Sequence, residues 1–250
     1  MAVVLGNVVA APEVYSPEVL EAIERGRGRA QIAHPSSHLK TGYDVWHCYE
    51  LSWLLPSDEI RYATAALIIP ASSPNTVESK SLKLYLNSLN AHTFTCDADA
   101  VACIEQDLSA LTKAHVKLEL QTPDALKRSS CLVEGVAPYA ASDKPSERFI
   151  SVGFRSLCPV TSQPDWATLV IDVSEAHFEA SVISDSIESL RNHQGFHEQC
   201  VEDLYSRLET ALAPDSLQVV GFFQRRGGID ITPWRSSIET PPCVTRLFEQ

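Results

Sequence analysis

One stretch limits the architecture more than any other: GVAPYAASDKPSER, residues 135–148, whose prolines, serines and charges no regular element would hold. The same order of patterns recurs on either side of it. In the first half, YDVWHCYELSWLL (43–55) and RYATAALIIPAS (61–72, ended by Pro70) read as strands from their aromatic and β-branched alternation. SSPNT is a loop, after which ESKSLKLYLNSLN (78–90) turns helical, with Leu82, Leu86 and Leu89 on one stripe. ADAVACIEQDLSALT (98–112) is a further helix and AHVKLELQT (114–122) a strand. In the second half RFISVGFRSL (148–157) is a strand, CPVTSQPDW (158–166) a loop and ATLVIDVS (167–174) a strand. A connector leads to the helix HEQCVEDLYSRLETALA (197–213), where Cys200, Leu204 and Leu208 form a stripe that Leu212 continues. SLQVVGFFQRRGGIDITPW (216–234) closes this half as a hairpin turning at Gly227 and Gly228.

Each half therefore gives strand, strand, then a helix opened by an acidic residue, Glu78 in one and Glu198 in the other. That order predicts a tandem α+β arrangement. Its modules are 1–134, beginning with an irregular segment 1–42, and 148–250, with 135–147 as linker. Within the opening segment one short helix is expected near SPEVLEAIERGR (16–27), capped by Ser16 with Pro17 at its first position.

A chain of 250 residues can bury a substantial core, and 44% hydrophobic with 21% charged residues is a globular composition. The net charge of −12 disfavours nonspecific attraction to nucleic acid or anionic membrane. No run approaches a membrane span, and the apolar start, interrupted by Gly6 and Asn7, has no basic lead, so a cytoplasmic protein without a signal peptide is expected. The seven cysteines, Cys48, Cys96, Cys103, Cys131, Cys158, Cys200 and Cys243, form neither a CxxC pair nor a cluster of metal-ligand spacing. No metal is expected. An odd, scattered set fits a reducing compartment.

Three places could carry chemistry. Cys158 enters a polar loop from a strand end, where catalytic groups tend to be exposed, although most free cysteines are simply packed thiols. A thiol is intrinsically a strong nucleophile. Asp165 follows Pro164 and precedes Trp166; beside a dry indole it could hold a proton to donate, and otherwise it is a turn aspartate. His197 and Glu198 start a helix, where an acidic residue is favoured by the dipole alone but could also bind a heterocycle's N–H groups. Glu78 carries the same ambiguity. QRRGG (224–228) is either a solvated hairpin tip or a phosphate site, with Lys80 and Lys83 able to add charge from the other half. GxGxxG, the Walker loop, HExxH and GxSxG are absent, so a nucleotide cofactor would bind outside a Rossmann fold. The residues alone leave a plausible thiol enzyme without a substrate.

Four segments in register, ESKSLKLYLNS (78–88), CPVTSQPDW (158–166), FHEQCVEDLY (196–205) and RRGGIDITPWRS (225–236), resemble the NADPH-dependent 7-cyano-7-deazaguanine reductases, the nitrile reductases of queuosine biosynthesis. YELSWL (49–54) and LGNVVAAPEVYSPEVL (5–20) look like the longer, two-module branch, while Ser162 stands where many two-module members have histidine. The resemblance implies tandem tunnelling-fold modules, with antiparallel sheets and helices packed on one face. It implies that Cys158 is the nucleophile forming a thioimide, Asp165 the proton donor, and His197 a catalytic and substrate-contacting group. Val77, Glu78, Ser79 and Glu198 would bind substrate, and Ser79, Lys80, Arg226 and Gly227 would bind NADPH, consumed twice per turnover. The partners implied are 7-cyano-7-deazaguanine and a second copy of the chain. The alternative is a noncatalytic purine- or pterin-binding protein of the same fold.

Overall fold

Alternating apolar side chains lay down a sheet, and 3.6-residue apolar stripes lay helices across it. The computed structural model describes residues 11–121, 130–131, 146–174, 180–240, 242, 244–247 and 250. The first half gives β1 (Ala22–Glu24), α1 (Arg25–Arg29), β2 (Gly42–Leu54), β3 (Ile60–Pro70), β4 (Asn75–Val77), α2 (Ser79–Ser88), α3 (Asp97–Thr112) and β5 (Lys117–Gln121). After β6 (Ser130–Cys131), the second half gives β7 (Ser146–Leu157), β8 (Pro164–Ser174), α4 (Ala180–Glu188), α5 (His197–Leu212), β9 (Ser216–Phe223), β10 (Ile229–Ser236) and β11 (Arg246–Leu247).

One seven-stranded sheet runs in the order β5-β3-β2-β10-β9-β8-β7, antiparallel at every step. The architecture is α+β. Its helix-bearing face carries two apolar clusters. Trp46, Cys48, Leu67 and Ile231 pack with Leu82, Leu86 and Leu89 of α2 and Ile104 and Leu108 of α3. Leu169, Ile171 and Val219 pack with Cys200, Leu204 and Leu208 of α5. Each such side chain contributes about 1.5–3 kcal/mol by leaving water. A smaller cluster of Val170, Val220, Phe222, Trp234 and Leu247 covers part of the opposite face.

The two halves are joined through β10. It follows β9 in sequence, yet it pairs with β2 from Ile229 to Arg235 and with β9 only over Trp234–Ser236. The expected hairpin is thus closed at its far end and splayed at its turn. The linker drawn at 135–147 lies outside the described residues except for Ser146 and Glu147, which begin β7. Among the described residues no helix is long and apolar enough to cross a membrane.

Four local expectations are corrected. The helix near 16–27 is a 3-10 turn at Pro17–Val19, then β1, then the five-residue α1. The backbone of β1 is taken by pairing with β4, which outweighs local helical preference, and Ser16 bonds Val14 rather than capping. That pairing also draws Asn75 and Thr76 of the expected SSPNT loop into a strand. Asp165 and Trp166 lie on β8, so the loop ends at Gln163. The connector before α5 contains α4.

Candidate active site

The splayed end of β9 and β10, the start of α2, the start of α5 and the loop after β7 surround a cavity of about 550 Å³. Every residue that the resemblance assigns to the site lines it: Val77, Glu78, Ser79, Lys80, Cys158, Asp165, His197, Glu198, Arg226 and Gly227. Both halves of the chain contribute.

Cys158 stands half-buried where β7 ends. Its backbone N–H donates to Gln163 O (2.8 Å) and its carbonyl accepts from Ser162 N–H (2.9 Å), closing a tight loop with Ser162 at φ 55°. Gln194 Nε2 donates to Ser162 Oγ at 2.8 Å, tying this loop to the one before α5. Cys48 and Cys200 are buried in the core, where desolvation pushes each thiol up to about 12. Cys158 alone among the five cysteines with described side chains lines the cavity.

Asp165 is 5% exposed on β8, opposite Ser156. Arg226 Nη1 lies 2.9 Å from Oδ1, and Arg226 also donates to Pro164 O at 2.6 Å. His197 Nε2 is 3.4 Å from Oδ2. The His197 ring stacks on Phe223 at 4.0 Å and 11°, and its Nδ1 is buried without a hydrogen-bond partner among the described residues. The indole expected to dry out Asp165 does not do so. Strand alternation sends Trp166 to the other side, where it is 38% exposed; Asp165 is enclosed from the His197 side instead.

The two glutamates are held differently. Glu78 caps α2, accepting from Lys80 N–H (3.0 Å) and Ser81 N–H (2.7 Å), so its helix-start role is realised while it lines the cavity. Glu198, 6% exposed in the first turn of α5, accepts from Thr76 Oγ1 at 2.9 Å. Burial, reinforced by the nearby Asp44 charge, raises the Glu198 carboxyl above the usual carboxylate value, against the pull of Arg25 and His197.

The cavity's rim is cationic. Lys80 and Lys83 come from α2, and Arg226 with Gly227 comes from the turn before β10. Gly227 and Gly228 have φ of 57° and 79°, a conformation that glycine adopts without strain. Arg225 is turned away, its guanidinium 5.1 Å from the centre of the Tyr49 ring. Of the adjacent arginines, only Arg226 faces the cavity.

Sequence reasoning missed Trp46, Phe196, Gln224 and Ile23 in the lining, and the charged network beneath. In that network Arg235 bridges Asp44 (2.8 Å) and Glu202 (2.8 Å), Arg25 pairs with Asp44, and Arg29 with Glu202 (2.7 Å). These partners are scattered along the chain and leave no local pattern.

Fold and site together define an antiparallel α+β protein in which a half-buried cysteine and a buried carboxyl line one cavity. Residues 11–120 match the family described as "Nitrile reductase, 7-cyano-7-deazaguanine-reductase N-term", and residues 164–242 match "QueF-like protein". The NADPH-dependent 7-cyano-7-deazaguanine reductase of Acinetobacter baylyi is 37% identical over 98% of this chain and 97% of its own. The protein of the same name from Psychrobacter arcticus is 38% identical over 96% of this chain and 95% of its own. The chain belongs to this family of nitrile reductases. A solved archaeosine synthase QueF-like structure in the apo form covers 40% of this chain and 100% of its own, at 19% identity and a TM-score of 0.36, a likeness too weak to bear on the fold.

Proposed function

We propose that the protein reduces the nitrile of 7-cyano-7-deazaguanine to 7-aminomethyl-7-deazaguanine with NADPH, through a covalent thioimide on Cys158. The observation that carries this reading is the convergence on one cavity of Cys158, Asp165, two buried glutamates and a cationic rim, drawn from both halves of the chain.

Glu78 and Glu198 take the donor edge of the deazaguanine, where adjacent N–H groups suit carboxylate acceptors. The Cys158 thiolate adds to the nitrile carbon. One C–N π bond breaks, its electron pair moves to nitrogen, and Asp165 delivers the proton that gives the neutral thioimide. His197, within 3.4 Å of Asp165, handles protons at the same nitrogen as the amine forms. Ser79, Lys80, Arg226 and Gly227 fit NADPH because they place cationic side chains and a glycine backbone at the rim, the groups that phosphates require. The cofactor supplies the two hydrides that take the thioimide to the amine, with Cys158 released between them. Arg226, which holds Asp165 here, is the group a cofactor phosphate would draw off, freeing the acid for its proton. Substrate and cofactor together would have to fill the cavity mouth to keep the imine from water.

This activity places the protein in the cytoplasm, in the synthesis of a modified tRNA base, with no direct nucleic-acid contact. A homodimer is supported by the edge strand β7, whose Ile150 and Val152 are exposed. Mixing the protein with 7-cyano-7-deazaguanine and NADPH should oxidise two NADPH per amine formed. Without NADPH, mass spectrometry should find an adduct on Cys158 that is absent in Cys158→Ala. No turnover by folded protein, or an adduct on another cysteine, would overturn the reading.

A further inference from the structure

The charged groups beneath the cavity do not balance among themselves. Arg25, Arg29 and Arg235 supply three cations, while Asp44 and Glu202, which they bind directly, supply two anions. Glu198 is the third carboxylate, close enough to Arg25 and Asp44 to feel both charges. It lies in the first turn of α5, one turn before Glu202, and Thr76 of β4 donates to its Oε1 at 2.9 Å. Thr76 is 3% exposed and has a single hydroxyl proton, so this bond commits it to Glu198. A carboxylate that accepts from Thr76 is fixed in orientation while its residue lines the cavity.

We propose that Thr76 is a positioning residue for Glu198, holding that carboxylate ionised and aimed so that it can accept the N–H groups of the substrate heterocycle. This rests on the reading of Glu198 as a substrate-binding group. Thr76 is not itself among the residues that line the cavity. The need for such support is physical. Around Glu198 stand Asp44 of β2, Arg25 of α1, and His197 and Glu202 of its own helix, with Arg235 of β10 on the far side of Glu202 and Glu78 across the cavity. Burial and Asp44 favour the protonated carboxyl, whereas Arg25, a hydrogen bond from the backbone N–H of Glu198 itself and His197 favour the anion; the bond donated by Thr76 acts in the same direction. A protonated Glu198 would present a donor to a donor. Removing the threonine hydroxyl therefore weakens binding and moves the acid limb of binding to higher pH.

The test is calorimetric titration of 7-cyano-7-deazaguanine into full-length protein across pH, in a Cys158→Ala background so that only noncovalent binding is read. Thr76→Val keeps the shape and deletes the donor; its Kd should rise about tenfold to a hundredfold, the span expected for a hydrogen bond to a charged group. Its acid limb should shift upward, and Thr76→Ser should restore both. With Cys158 intact and substrate saturating, Thr76→Val should form the adduct at the parent rate at a pH above the limb. If Thr76→Val binds like its parent with an unmoved limb while Glu198→Gln is impaired, the proposal is overturned and the reading of Glu198 stands. If Glu198→Gln itself binds normally, that reading fails and Thr76 loses its role with it. A thermal melt of each variant confirms that a folded protein is being titrated, and Thr76→Ser supplies the folded comparison should Thr76→Val be impaired.

Discussion

Asp165 shows how one position takes its chemistry from three neighbours. Strand β8 points it inward, Arg226 holds one oxygen and His197 faces the other. If it is the acid that accompanies thiolate addition, Asp165→Asn keeps the shape and removes the proton. Adduct formation on Cys158 should then slow by about a hundredfold to ten-thousandfold, while nitrile binding changes little. Stopped-flow absorbance of the thioimide separates these effects, and equal loss of binding would argue for a merely structural aspartate. The motif residues were legible because they sit in short runs, such as CPVTSQPDW, whose residue types in that order are unusual. What surrounds them was not. That Trp166 turns away follows from β8 beginning at Pro164, three residues earlier than a proline-containing loop suggested. The choice between Arg225 and Arg226 depended on the path of the turn, which sends one over Tyr49 and the other to Asp165.

At the level of elements, the glycine turn does more than reverse the chain. β9 and β10 are buried along their whole lengths, so alternation says nothing about which strands flank them. A hairpin was the natural reading of Gly227 and Gly228, and the pairing of β10 with β2 was invisible because long-range partners leave no local trace. The opening that results is where the cavity forms. Gly228 has φ 79°, and a Cβ there would run into the Glu50 side chain. Gly228→Ala should cost about 1–2 kcal/mol from backbone conformation alone. Because Glu50 pairs with Lys83 at the rim, the change should also raise the KM for NADPH more than it lowers kcat. Steady-state kinetics beside a urea melt would show both effects; an unchanged KM would mean that this turn does not shape the cofactor site.

Across the whole molecule, the two halves share one sheet, and buried charge fastens the shared strand. Arg235 on β10 is fully buried and binds Asp44 of β2 and Glu202 of α5, one anchor in each half. Arg235→Met leaves both carboxylates without that partner and should destabilise the fold by about 3–5 kcal/mol, seen as a lower urea midpoint. Acid should reach the same joint. Burial would raise Asp44, but Arg235 and Arg25 outweigh it and hold its carboxyl below the ordinary value. A lowered folded pKa means stability that is present above the unfolded value of about 3.9 and lost as pH falls through the folded one. Melting temperature should therefore drop below about pH 4, and Arg235→Met should flatten that dependence. At the far end of the sheet, β7 runs from Ser146 to Leu157 and has no outer partner among the described residues. An edge of that length with Val152 at 70% exposure and Ile150 at 44% invites pairing with another strand. If a second copy of the chain covers it, Val152→Lys should shift the protein from dimer to monomer in sedimentation without lowering its melting temperature at high concentration by more than the lost association explains. A dimer indifferent to Val152→Lys would place the interface on another surface.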